Sequence, residues 1–228
     1  MRTEPVVLVH GWGGSFAETW RGPGWEALLE DAGRTVIGVD LLGHGTAPKP
    51  HEPEAYTDLT TRIVDALPDG GPVDAIGFSL GAMTLLELAS RSPQRFSRLV
   101  VAGVGESLFR QDAERYDAIV AAVEGHLTDD NIGRLFAQYA DQPGNDAVAL
   151  AACLRRPVQP LTAERLSAVT CPVLVAIGDL DFAGPGDPLV AALPDATLVT
   201  LKNVDHFATP EAFAFIDAAL EFLDAVPA

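Results

Sequence analysis

Residues 73–90 read VDAIGFSLGAMTLLELAS, and the way this stretch divides decides the fold. Residues 73–78 form an apolar run of the kind found in a strand buried on both faces. From Leu80 onward the apolar positions change to helical spacing. A single serine, Ser79, stands at the change, with Gly77 two residues before it and Gly81 two residues after. A strand that passes straight into a helix bends so tightly that its central residue is held in a strained backbone conformation. Side chains two positions to either side would then collide unless they were very small. The pattern G-x-S-x-G is expected roughly 0.06 times by chance in a chain of this composition, so the surrounding sequence has to give Ser79 its meaning.

Outward from this bend, short apolar runs alternate with longer helical segments, the pattern of a mostly parallel sheet covered on both faces. The strand candidates are residues 5–9, 35–40, 73–78, 98–104, 171–178 and 196–202. Helical spacing predicts helices at about 24–32, 56–67, 80–91, 186–193 and 210–225. Between the fourth and fifth strands, some sixty residues read as three or four short helices with no strand. An insertion of that length over strand ends commonly serves as a lid, although ordinary covering helices would read the same way. With no repeat, low-complexity tract or linker, the chain divides into a core of residues 1–105 and 168–228 and an inserted helical lid of residues 106–167.

Composition narrows the partners. The chain has 228 residues, of which 48% are hydrophobic, and carries a formal net charge of -17 with only two lysines, Lys49 and Lys202. Such a surface repels phosphate backbones and anionic lipid heads, so neither nucleic acid nor a membrane is an expected partner. The acidity reads as a solvated surface that keeps the protein soluble. No apolar run approaches the ~20 residues of a membrane span, and the N-terminus lacks the features of a signal peptide, so a cytoplasmic location is expected. Cys153 and Cys171 stand in no C-x-x-C pair and beside no histidine cluster; they read as free, buried thiols, and no metal is expected.

A serine hydroxyl needs a base. Of the five histidines, His206 follows the last strand candidate, where a loop can reach a serine at the same sheet edge. His10, at the end of the first strand, reads as ordering its loop; His44 lies in a Gly-rich turn, and His51 and His126 are expected to be exposed. The imidazole needs a carboxylate, and Asp181 lies far enough into the loop after the fifth strand to provide one. Asp179 then reads as a turn former, Glu106 as the reserve and Asp205 as the less suitable neighbour. The order Ser79, Asp181, His206 is a separate piece of support. A developing oxyanion needs two amide donors, read as Leu80 N–H after the serine and Trp12 N–H in the loop HGWGGS at 10–15. Phe78, Phe182, Phe207 and Trp12 could wall an apolar pocket or simply pack. Arg155 and Arg156 could meet a substrate carboxylate but read more simply as a solvated surface pair.

The segments VVLVHGWGGS, VIGVDLLGHG, IGFSLGAM, VLVAIGDLDF and VDHFATPEAF together resemble the α/β-hydrolase superfamily, especially its small carboxylesterase, enol-lactonase and cofactor-free haloperoxidase-like branch. The resemblance spans the chain apart from the lid. It implies an α/β fold with a doubly wound sheet, Ser79 as nucleophile, Asp181 as acid, His206 as base and no cofactor. Members usually begin with an antiparallel hairpin that is missing here, which predicts six strands. Ala47 and Asp205 replace the usual Ser and Gly of two family patterns. A Ser nucleophile, where a haloalkane dehalogenase or epoxide hydrolase would have Asp, argues against those activities. The expected function is a serine hydrolase of a small ester, thioester or lactone. The same triad could serve an acyl transferase, a perhydrolase or haloperoxidase, or a carbon-carbon bond hydrolase, and a non-catalytic binding module is the remaining alternative. The sequence leaves the acyl substrate and the oligomeric state open.

Overall fold

The apolar runs close into one sheet in the computed structural model, which describes residues 2–110 and 113–227. The strands are β1 Val6–Val9, β2 Val36–Val39, β3 Val73–Phe78, β4 Phe96–Ala102, β5 Val173–Gly178 and β6 Ala196–Leu201. They run in the order β2-β1-β3-β4-β5-β6, and every neighbouring pair is parallel. Both faces of a parallel sheet are covered, which explains why β1, β3 and β5 are buried at every position. The edge strands β2 and β6 are only partly buried.

The helices are α1 Trp25–Asp31, α2 Thr61–Ala66, α3 Leu80–Arg91, α4 Ala113–Val123, α5 Asn131–Ala140, α6 Ala147–Arg155, α7 Ala163–Leu166, α8 Asp187–Ala192 and α9 Phe213–Phe222. Alternate strand residues point to opposite faces. Val7, Val9, Ala75 and Val101 join Leu85 and Leu86 of α3 in one core. Leu8, Ile76 and Val100 join Trp25 of α1 and Phe215 of α9 in the other. The sixty-residue insertion holds α4 to α7. Val120, Val123, Leu150 and Leu154 make a small third core there, against which Trp12 and Phe136 pack.

Two segments read as continuous helices are broken. In 56–67 the Asp58 carboxylate accepts from Thr60 N–H at 2.9 Å and from its hydroxyl at 2.6 Å, a local turn that competes with the helix. Pro53–Tyr56 is a short 3-10 turn, and α2 starts only at Thr61. In 210–225 a 3-10 turn over Thr209–Glu211 precedes α9, separated from it by an extended Ala212. Residues 17–21 form a single π-helical turn that the periodicity did not reveal.

The register places the site. Val9, the last residue of β1, lies opposite Val39 of β2 on one side and Gly77 of β3 on the other. The chain leaves β1 toward β2 and then crosses to β3 on the opposite side. The loops after β1 and β3 therefore part at their carboxyl ends, the crevice where open α/β sheets take ligands.

Candidate active site

Ser79 sits between β3 and α3 with φ 49° and ψ −112°, one of three non-glycine residues with positive φ among those described. A Cβ on Gly77 would lie 2.7 Å from the backbone of Ala82, and one on Gly81 would lie 2.3 Å from the Val9 carbonyl oxygen. Clearance against backbone is thus the reason for both glycines. Two main-chain bonds hold the strained residue: Ser79 N–H donates to Ala102 O at 2.8 Å, and Ser79 O accepts from Met83 N–H at 3.0 Å. The first amides of α3 face the end of the bend, where a helix N-terminus favours negative charge.

His206 and Asp181 arrive on separate loops at the same sheet edge. Ser79 Oγ lies 3.0 Å from His206 Nε2, and His206 Nδ1 lies 2.9 and 3.0 Å from the two Asp181 oxygens. The acceptor-only carboxylate requires Nδ1 to carry the proton, leaving the Nε2 lone pair to accept from the serine hydroxyl. Ala183 N–H also donates to Asp181 Oδ1 at 2.8 Å, and both side chains are buried. A glycine absent from the sequence reading makes this meeting possible: a Cβ on Gly178 would lie 1.9 Å from Val204 O, so only glycine lets the loop carrying His206 cross so close to the end of β5.

The rival carboxylates are engaged elsewhere. Asp179 accepts from Asn203 N–H at 2.7 Å, Glu106 pairs with Arg110 at 2.6 Å, and Asp205 accepts from Ala208 N–H at 2.9 Å. The rival histidines are likewise accounted for. His51 and His126 are exposed, whereas His10 and His44 are fully buried. His10 donates from Nδ1 to Gly11 O at 2.7 Å and accepts Leu41 N–H at 3.1 Å on Nε2, which ties the loop after β1 to the loop after β2. In that first loop, Gly14 N–H donates to Gly11 O. Among the described residues, neither Trp12 N–H nor Leu80 N–H has a hydrogen-bond acceptor.

Two cavities, of about 250 and about 670 Å³, meet at this point, and Trp12, Ser79, Phe136 and His206 line both. Trp12 and Phe136 stack at 4.9 Å between ring centroids. Of the aromatics expected at a pocket, Phe78 lines the smaller cavity, Phe182 the larger and Phe207 the smaller, and all three rings contact His206. Phe136 and Tyr139 were missed. They are spaced i, i+3 on α5, a pairing that marks one helix face, but nothing in the sequence says where that face points. Tyr139 stacks on Phe207 at 4.9 Å, and its phenol is pushed up by burial first and then by Glu211, Asp205 and Glu18. Glu18 and Glu211 line the smaller cavity. The larger one is lined by Arg110, Arg155 and Arg156.

Among the described residues, no three His, Cys, Asp or Glu side chains converge to hold a metal ion. Cys153 and Cys171 are free and buried, and burial pushes both thiols up to about 11. No described helix is long and apolar enough to cross a membrane. The arrangement allows a proton to pass from the Ser79 hydroxyl to His206, with Asp181 beside the imidazole, where two cavities meet.

The alpha/beta hydrolase family model matches residues 6–218. The chain is 29% identical to a pimeloyl-[acyl-carrier protein] methyl ester esterase of Neisseria meningitidis, over 92% of this chain and 90% of that protein. It is also 29% identical to the Aeromonas hydrophila protein of the same name, over 88% and 87% of the two chains. Among solved structures, NosK from Streptomyces actuosus superposes with a TM-score of 0.75 at 22% identity, covering 99% of each chain. The enol-lactonase from Burkholderia xenovorans superposes with a TM-score of 0.70 at 23% identity, covering 98% of this chain and 92% of that one.

Proposed function

The chain belongs to the alpha/beta hydrolase family, and from that premise we propose that it is a serine hydrolase cleaving a small carboxylic ester, thioester or lactone through an acyl-enzyme on Ser79. The observation that carries this reading is the continuous chain of contacts from Ser79 Oγ through His206 to Asp181, at 3.0 and 2.9 Å. The names of the two similar esterases agree with it.

In this reading Ser79 Oγ attacks the carbonyl carbon as its proton passes to His206 Nε2, and Asp181 stabilises the imidazolium. The tetrahedral oxyanion takes the free amides of Trp12 and Leu80. Collapse expels the alcohol or thiol, which receives the proton from His206, and water activated by the same base releases the acid. The cycle balances with substrate and water alone. We read residues 106–167 as a lid on a core of 1–105 and 168–228; its support is that Phe136 and Tyr139 of α5 wall the cavities beside Ser79.

Hydrolysis of p-nitrophenyl butyrate and labelling by a fluorophosphonate probe test the proposal. Ser79→Ala is expected to abolish labelling and lower kcat roughly 10⁶-fold, and Asp181→Asn roughly 10⁴-fold, on the precedents of other serine enzymes. Unchanged turnover in Ser79→Ala would sink it. Product analysis with added alcohol or peroxide checks that water is the acceptor.

A further inference from the structure

Of the three arginines at the larger cavity, two are already neutralised. Arg155 presents its Nε and Nη2 edge to both oxygens of Glu124 at 2.6 and 2.7 Å. Arg110 pairs with Glu106 and is largely exposed. Arg156 differs. Its Nη1 donates to Cys153 O at 2.6 Å and lies 3.9 Å from Cys153 Sγ. The Nε and Nη2 edge, the one that Arg155 uses for its carboxylate, has no acceptor among the described residues. Neither of those two nitrogens is sealed away from open space.

Arg156 is also held in place. It is the C-cap residue of α6, and its anchor on Cys153 O is one of the last carbonyls of that helix, where a cation is favoured. Its charge is felt in the surrounding core. The His44 imidazole is pushed down to about 3 by burial first and then, among its neighbours, by His10 and Arg156. The acidic side chains on the cavity wall do not serve it: Glu87 faces Arg165 at 3.7 Å, and Asp117 makes no ion pair with Arg156. A guanidinium anchored through one nitrogen, with its two-pronged edge free, on a residue that lines the same cavity as Ser79, suits a planar anion.

Resting on the reading of Ser79 as the nucleophile, we propose that Arg156 is the specificity determinant of the larger cavity, and that the substrate arm lodged there ends in a carboxylate. The smaller cavity, with Glu18 and Glu211 on its wall, takes the uncharged arm. The sequence left Arg155 and Arg156 as an equivalent surface pair; the structure separates them by their partners.

The test compares kcat/KM within matched pairs of esters. One series sets p-nitrophenyl hemiesters of dicarboxylic acids against p-nitrophenyl alkanoates of equal length. The other sets butyrate esters of carboxyalkyl phenols against those of alkyl phenols. In one of the two series the wild-type protein should favour the carboxylate by roughly 10- to 100-fold, the discrimination expected of a charge-assisted pair. Arg156→Gln should bring that ratio down to about one. Arg156→Lys, which keeps the charge but loses the fork, should fall between. Arg110→Gln should keep the wild-type ratio, because Glu106 already holds that charge. A wild-type ratio of about one or less in both series would overturn the proposal, as would an Arg156→Gln enzyme that keeps the preference. If Arg156→Gln does not fold, the wild-type ratio and Arg156→Lys decide. Loss of fluorophosphonate labelling on Ser79 would defeat the hydrolase reading itself, whereas a labelled, active enzyme without the preference would defeat only the role of Arg156.

Discussion

Ser79 holds a backbone conformation that costs on the order of 1–3 kcal/mol, and it persists because its surroundings admit no other. The Val9 carbonyl is backbone of a central strand and cannot move aside for a side chain at position 81 without disturbing β1. Gly81→Ala is therefore expected to cost about 1–3 kcal/mol, the range for overpacking, and to slow fluorophosphonate labelling together with the loss of stability. Urea unfolding and labelling rates measure both; wild-type values for the two would show that the bend tolerates a Cβ. At this scale much of the candidate site was legible. Ser79 and His206 announce themselves because each follows a strand candidate. Asp181 could be chosen over Asp179 only on loop position, with Glu106 in reserve, and Gly178, which lets the His206 loop close on it, gives no sign of that role in the sequence.

Helix α6 shows how an element carries more than its own stability. Its N-cap, Asp146, accepts from Val148 N–H at 3.0 Å and Ala149 N–H at 3.1 Å. One turn on, Leu150 O accepts from the Trp12 indole at 3.2 Å, and at its far end Cys153 O anchors Arg156. The same helix thus touches the loop after β1 and the wall of the larger cavity. Asp146→Ala is expected to lower stability by about 0.5–2 kcal/mol, while Asp146→Asn, which keeps an acceptor, retains most of it. Chemical denaturation of the pair checks this: equal losses would mean that the cap acts through its charge, including its 2.9 Å contact with His51, and not through the helix amides. The helical spacing of α4 to α6 was readable, since periodicity is local. The stacking of Phe136 on Trp12 was not, because it joins two elements more than a hundred residues apart.

Across the whole molecule, the candidate site and a buried ion-pair cluster lie at opposite ends of the strands. Ser79, His206 and Asp181 stand at the carboxyl ends, whereas the fully buried Asp74 opens β3 at the other end. Arg34 pairs with Asp74 and also donates to Glu4 O and to Leu223 O, both at 2.9 Å. Arg2 joins the same carboxylate at 3.2 Å. One buried group therefore ties the N-terminal segment, the turn before β2, the centre of the sheet and the C-terminal end together. Asp74→Ala would leave the Arg34 charge buried without its partner, at an expected cost of about 3–5 kcal/mol in chemical denaturation. The folded fraction should still label on Ser79; a variant of full stability would show that water replaces the carboxylate. By itself the sequence determined the alternation of six strands with helices, the bend at Ser79 and the order of the three candidate residues, because each is written in neighbours along the chain. Only the tertiary structure decided which carboxylate meets His206, how Trp12 and Phe136 stack where two cavities meet, and which of two adjacent arginines keeps a free edge. Those outcomes depend on backbone clearances and partners distant in sequence, as with Ser79 and His206, 127 positions apart.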